Sequence, residues 1–169
     1  MIGSTPDTVV ELDEPLVVIT RVFHAPRELV FKAWTSPEHL VRWNAPQGCT
    51  IEYRQIDIRE GGTFHSCLRT PSGFNCWCIG VYQEIVVPER IVLTMAISDE
   101  HGNRIDSAAA GHDSEWPAET VITVTFTEQH GQTTLTLQQN VRESLAKRTG
   151  AYSGWGQMLD RLAEELVKS

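Results

Sequence analysis

The sequence predicts an α+β domain in which a curved seven-stranded antiparallel sheet, two short helices and a long C-terminal helix enclose a cavity. Three observations predict it. Segments rich in β-branched and aromatic residues recur from residue 49 to 140 with a period near two. Two short helical segments follow the first strand, and one long amphipathic segment closes the chain. A curved antiparallel sheet cannot bury its concave apolar face alone, so that last helix must lie across it.

Taken in order, residues 1–15 are polar, carry Pro6 and Pro15, and hold Asp7, Glu11, Asp13 and Glu14 before any basic residue. They are expected to form a flexible, acidic N-terminal arm, with a single domain over 16–169. "LVVITRVF", 16–23, reads as the first strand. In "APRELVFKAW", Pro26 suits the opening turn of a helix, and Leu29, Val30 and Ala33 recur at helical spacing. Ser36 and Pro37 open a second short helix that runs to Trp43.

Strands are then expected near 49–58, 62–70, 74–86, 90–98, 118–128 and 132–140. Gly61-Gly62 punctuates the first join and Gly131 a hairpin. Along the last two strands, Thr outside and apolar residues inside make the half-buried pattern. The Gly-, Ser- and Asp-rich run 99–117 reads as a long loop, a length uncommon without a role such as covering an opening. A short helical turn through "ESLAKR" precedes the main helix, which starts near Ala151 after Gly150. Its apolar stripe is Trp155, Leu159, Leu162 and Leu166. Gly154 and Gly156 flank Trp155 and suggest close approach by another element.

Composition narrows the function. The chain has 169 residues, 14 Lys plus Arg against 22 Asp plus Glu, and a formal charge of −8. That balance, with no basic stripe, disfavours a nucleic-acid partner. No segment is apolar for long enough to insert in a bilayer, and the N-terminus lacks a signal-peptide pattern, so a cytoplasmic protein is expected.

"NCWCIG", 75–80, raises the question of a metal or disulfide site. The preceding "TPSGF" answers it through register. Pro71 suits the second position of a type I turn and Gly73 the left-handed position of a three-residue hairpin loop. Thr70 then pairs with Phe74, Leu68 with Cys76, Ser66 with Cys78, and Phe64 with Gly80. Cys67 faces Trp77 on the opposite side of the sheet, so the hairpin offers two thiols where zinc wants about four ligands. A one-residue slip would bring Cys67 and His65 to the same face as Cys76 and Cys78. A 76–78 disulfide is disfavoured because residues two apart in a strand have Cα atoms about 6.6 Å apart. The thiols are expected to behave as small hydrophobes, with no metal and no cofactor.

No nucleophile elbow, phosphate loop, metalloprotease helix or dinucleotide fingerprint occurs. His65, Tyr82 with Glu84, and Arg104 with Asp106 are the candidate titratable groups for a dispersed active site. His112, beside Asp113 and Glu115, could hang over a cavity mouth.

At this point the motifs "VITRVFHAPRELVFKAWTSPEHLVRWNAPQG", "DIREGGTFH", "GVYQEIVVPERIVLT" and "GWGQMLDRLAEEL" can be read together. In this order the chain resembles the domain related to the activator of the heat-shock-protein ninety ATPase, within the START-like superfamily of helix-grip folds. The resemblance covers residues 16–168. It implies a cavity between sheet and helix, opened near the long loops, in which relatives bind lipids, hormones or polyketides. The chaperone-activating role belongs to larger proteins with an additional domain.

The function expected is binding of a hydrophobic or aromatic small molecule. The alternatives are an enzyme acting on an aromatic or polyketide-like ligand through dispersed cavity residues, and a protein-interaction or chaperone-associated stress module. The expected ligand wall is Phe64, Ser66, Leu68, Cys76, Cys78 and Tyr82 from the sheet, with Trp43, Met95, Trp116, Trp155 and Met158 completing it. A homodimer is left open, and exposed Leu or Trp on the outer sheet face would favour it.

Overall fold

The computed structural model describes residues 14–168, so nearly all of the expected acidic arm lies outside the described residues. Seven strands make one antiparallel sheet: β1 (Leu16–Phe23), β2 (Thr50–Ile56), β3 (Thr63–Arg69), β4 (Asn75–Val86), β5 (Arg90–Ile97), β6 (Glu119–Gln129) and β7 (Gln132–Arg142). Their order across the sheet is β1-β7-β6-β5-β4-β3-β2. The consecutive strands β1 and β2 therefore lie at opposite edges. The chain crosses between those edges through two short helices, α1 (Arg27–Thr35) and α2 (Pro37–Trp43). After β7 come α3 (Glu143–Thr149) and the long α4 (Ala151–Lys168), divided by Gly150 in the left-handed conformation at φ 90°.

Period-two patterning decides which side chains enter the core. In β6, Thr120, Ile122, Val124 and Phe126 are buried and alternate with the more exposed Val121, Thr123 and Thr125. The β6–β7 hairpin turns on His130 and Gly131, both at positive φ, as a two-residue type I′ connection requires. Register shifts occur between Tyr53 and Gln55 in β2 and between Tyr82 and Glu84 in β4. Such bulges bend the strands that carry them and deepen the concave face.

That concave face meets α1, α2 and α4. Trp34 packs edge-on to Trp43 at 4.7 Å between ring centroids and lies nearly parallel to Trp155 at 6.5 Å. Leu159 and Leu162 of α4 are fully buried in the same cluster as Ile122, Leu135 and Leu137. A smaller cluster of Val17, Val141, Leu145 and Ala146 seats α3 against β1 and β7.

Arg161 fixes the long helix to the corner beyond α2. One of its guanidinium nitrogens donates to the Ala45, Pro46 and Cys49 carbonyls at 2.6–3.3 Å, and the other donates to the Arg42 carbonyl at 3.0 Å. The glycines flanking Trp155 do not serve the close approach that their placement suggests. A methyl at Gly154 would sit 3.5 Å from Pro46, an ordinary contact, and Gly156 has open space. Two other glycines are tight: at Gly62 a Cβ would lie 2.0 Å from the Asp57 carbonyl oxygen, and at Gly80 it would lie 2.1 Å from the Thr94 carbonyl oxygen and 2.3 Å from the Phe64 ring.

Candidate functional site

The elements do not fill the volume they enclose. A cavity of about 140 Å³ remains between the inner face of β2–β6 and the helices. Its wall is mostly apolar: Leu40, Ile51, Phe64, Leu68, Leu93, Met95, Ile122 and Met158, with the rings of Trp34 and Trp155. Phe64 and Tyr82, tilted against each other at 5.8 Å, form part of it, and Tyr53 meets Phe64 edge-on at 6.4 Å. Along β3 and β4 the lining passes from buried at Phe64, Ser66 and Tyr82 to half-buried at Leu68, Cys76 and Cys78, so the cavity opens toward the 70–74 hairpin.

The hairpin has the expected geometry. Thr70 N–H donates to the Phe74 carbonyl at 3.1 Å, Gly73 takes φ 91°, and Phe64, Ser66 and Leu68 pair with Gly80, Cys78 and Cys76. Cys67 pairs with Trp77, away from the cavity thiols. Among the described residues, no group of three or more His, Cys, Asp or Glu side chains is arranged to hold a metal ion.

Nine of the residues assigned to the wall line the cavity: Phe64, Ser66, Leu68, Cys76, Cys78, Tyr82, Met95, Trp155 and Met158. Two lie elsewhere. Trp43 is fully buried behind Trp34, with its indole N–H donating to the Ala33 carbonyl at 3.0 Å, so it locks α2 to α1. Trp116 packs on the Val17–Val141–Leu145 cluster and supplies the carbonyl that accepts from Ser107 at 2.7 Å. Trp34, Leu40, Asn44, Ile51, Tyr53, Leu93 and Ile122 are lining residues that the sequence reading omits. The apolar stripes of α1 and α2 mark Trp34 and Leu40 as buried, without telling which of the buried residues face the cavity. No signal existed for Asn44 and Tyr53, whose pairing is purely tertiary.

Four polar side chains interrupt the wall: Asn44, Tyr53, Ser66 and Tyr82. Asn44 Nδ2 donates to the Tyr53 hydroxyl at 2.9 Å, leaving the Tyr53 proton free for another acceptor. Burial raises the Tyr53 hydroxyl to about 12 against the opposing Asn44 hydrogen bond. Burial likewise raises Tyr82, with a smaller contribution from Tyr53. Both phenols stay protonated at neutral pH and can donate to a ligand oxygen.

Cys76 is the most unusual group on the wall. Its sulfur lies 3.9 Å from Cys78 Sγ and 3.5 Å from His112 Nε2. The hydrogen bond from Cys78 holds the Cys76 thiol well below the usual thiol range; burial opposes this, and His112 reinforces it. Cys78 is raised by that same bond, then by burial and by the neighbouring charge. His112 is raised by its bond to Cys76 despite partial burial. The arrangement puts a thiol and an imidazole within hydrogen-bond reach of one cavity sulfur, the partners that favour its thiolate.

The 99–117 loop holds His112 there. Asp113 accepts from Arg148 of α3 at 3.2 Å and Glu115 from Arg142 at 3.0 Å, while Phe74 meets the His112 ring edge-on at 5.4 Å. The remaining candidate titratable groups are used elsewhere. His65 Nε2 sits 3.2 Å from the Asp99 carbonyl on the outer face, Glu84 pairs with Arg90, and Arg104 pairs with Glu119. Of those candidates, only Tyr82 belongs to the cavity.

A curved antiparallel sheet closed by a long C-terminal helix over an apolar hollow defines a helix-grip protein. The model of the family described as Activator of Hsp90 ATPase homolog 1-like protein matches residues 24–167, and the chain belongs to that family. Protein CV1439 from Chromobacterium violaceum is 25% identical, with a TM-score of 0.72, covering 89% of this chain and 96% of its own. The AHSA1 protein from Silicibacter pomeroyi is 22% identical, with a TM-score of 0.69 over 90% and 98% of the two chains. Protein Ms6760 from Mycobacterium smegmatis is 19% identical, with a TM-score of 0.75 over 92% of each. The latter two likenesses speak to the fold. No curated protein matches the chain.

Proposed function

We propose that the protein binds a compact, largely apolar small molecule carrying a hydrogen-bond acceptor, in the cavity between the sheet and α4. The observation that carries this is the unfilled volume of about 140 Å³ on a wall of aromatic and aliphatic side chains. Protein interiors pack to crystal-like density, and an enclosed apolar void of about 150 Å³ suffices for a benzene-sized guest. Pockets for larger ligands run from about 300 Å³ upward, so a single ring or a short branched chain is the favoured size. The Tyr53 and Tyr82 hydroxyls select a ligand with a carbonyl or similar oxygen, since burying a donor unpaired costs roughly 1–3 kcal/mol. Binding of hydrophobic molecules is also what the START-like relationship implies.

Native mass spectrometry of freshly purified protein, followed by organic extraction, tests the reading. A small organic species near one equivalent is expected. Only bare protein, which single-ring ketones and phenols also fail to stabilise, would contradict it.

A further inference from the structure

We propose that Cys76 is a covalent attachment point for compact α,β-unsaturated carbonyl ligands, with His112 supplying the proton that completes the addition; this rests on reading the cavity as a small-molecule site. Three independent features converge. Cys76 lines the cavity, so its sulfur adjoins the bound molecule. Its contacts are a second thiol at 3.9 Å and an imidazole nitrogen at 3.5 Å, the partners that convert a buried sulfur into a nucleophile. The same wall carries two phenolic hydroxyls able to polarise a carbonyl oxygen.

The step balances without any redox partner. A lone pair of the Cys76 thiolate forms a C–S bond to the β-carbon, and the C=C π pair shifts to give an enolate. Its oxygen is held by a tyrosine hydroxyl. The imidazolium of His112 then passes its proton toward the α-carbon, leaving a neutral thioether and a neutral imidazole. The reverse sequence releases the ligand, which makes the attachment reversible.

The titratable groups facing Cys76 are Cys78 on its own strand and His112 on the loop, with Cys67 on β3 coupled to it through charge. Asp113, next to His112, is engaged by Arg148.

The test incubates the full chain with cyclohex-2-enone at pH 6 and pH 8, with saturated cyclohexanone as the non-reactive competitor. Intact mass and peptide mapping should show a single adduct, on Cys76, slowed by excess cyclohexanone. Between the two pH values the rate at Cys76 should change less than about threefold, while that of an ordinary thiol rises about 75-fold. Cys76→Ser should lose the adduct, and His112→Gln should slow it at least about tenfold at pH 6. Thermal stabilisation by cyclohexanone reports the fold and cavity of each variant separately.

An adduct on Cys49 or Cys67 instead, or a Cys76 rate that climbs steeply with pH, would overturn the proposal. Stabilisation by cyclohexanone without any adduct would sink the covalent step and leave the binding site standing. An adduct on Cys76 that cyclohexanone neither slows nor mimics in stabilising the fold would overturn both.

Discussion

Cys76 and Cys78 are chemically identical residues two positions apart on one strand, yet their surroundings drive them in opposite directions. Their shared hydrogen bond and burial push the Cys78 thiol up, while that bond and His112 hold the Cys76 thiol down. Because ionisation of Cys76 is favoured in the folded state, its contribution to stability is present above the unfolded thiol range and is lost as pH falls through the folded value. His112 has the opposite sign: raised in the fold, it contributes below its unfolded value and loses that contribution as pH rises through the folded one. A titration of thiolate ultraviolet absorbance should therefore show one sulfur ionised well below pH 8 in the native protein. Cys76→Ser should abolish that step, and His112→Gln should shift it upward. A native titration with all cysteines ionising together above pH 8 would contradict the assignment.

Among the elements, the β3–β4 hairpin and α4 carry the cavity. Gly80 lets the two strands and the Phe64 ring come together, and a Cβ there would meet the Thr94 carbonyl, which belongs to the β5 backbone and cannot step aside. Gly80→Ala should cost at least about 2 kcal/mol in denaturant unfolding, at the upper end of overpacking effects. A cost under about 0.5 kcal/mol would show that the strand relaxes. For α4, removing the Arg161 guanidinium takes the side-chain donor from the carbonyls of Arg42, Ala45 and Cys49, while the Pro46 carbonyl keeps its bond from the Cys49 N–H. Arg161→Met should destabilise by roughly 1.5–3 kcal/mol. Hairpin register was legible in the sequence because turn chemistry is local: "TPSG" fixes Thr70 against Phe74, and every pairing beyond follows. Arg161 was not legible, since a half-buried arginine on an amphipathic helix gives no sign of which carbonyls lie opposite.

At the scale of the whole molecule, the order strand, helix pair, meander and closing helix was readable because each joint carries a punctuating Gly or Pro and each element its own period. Which tryptophan faces the hollow was not. Trp34 and Trp43 both satisfy helical spacing, and only the angle between α1 and α2 decides that Trp34 lines the cavity while Trp43 ties the corner. The size of the void was equally hidden, being a difference between the volume enclosed and the volume filled. A ring ligand of seven heavy atoms should bind with a Kd of roughly 0.01–1 mM, given the usual efficiency of such small molecules. At ten times Kd the linkage is about 1.4 kcal/mol, which raises Tm by about 3–5 °C for a domain of this size. Filling the void from its own wall, with Ser66→Phe or Ser66→Trp, should remove that response while the variant still unfolds cooperatively.

The most direct measurement is the Tm of the wild-type chain and of these two filled variants, with and without saturating cyclohexanone. A rise of several degrees is expected in the wild type alone. No rise in the wild type with any single-ring ketone or phenol, or an equal rise in the filled variants, would contradict it.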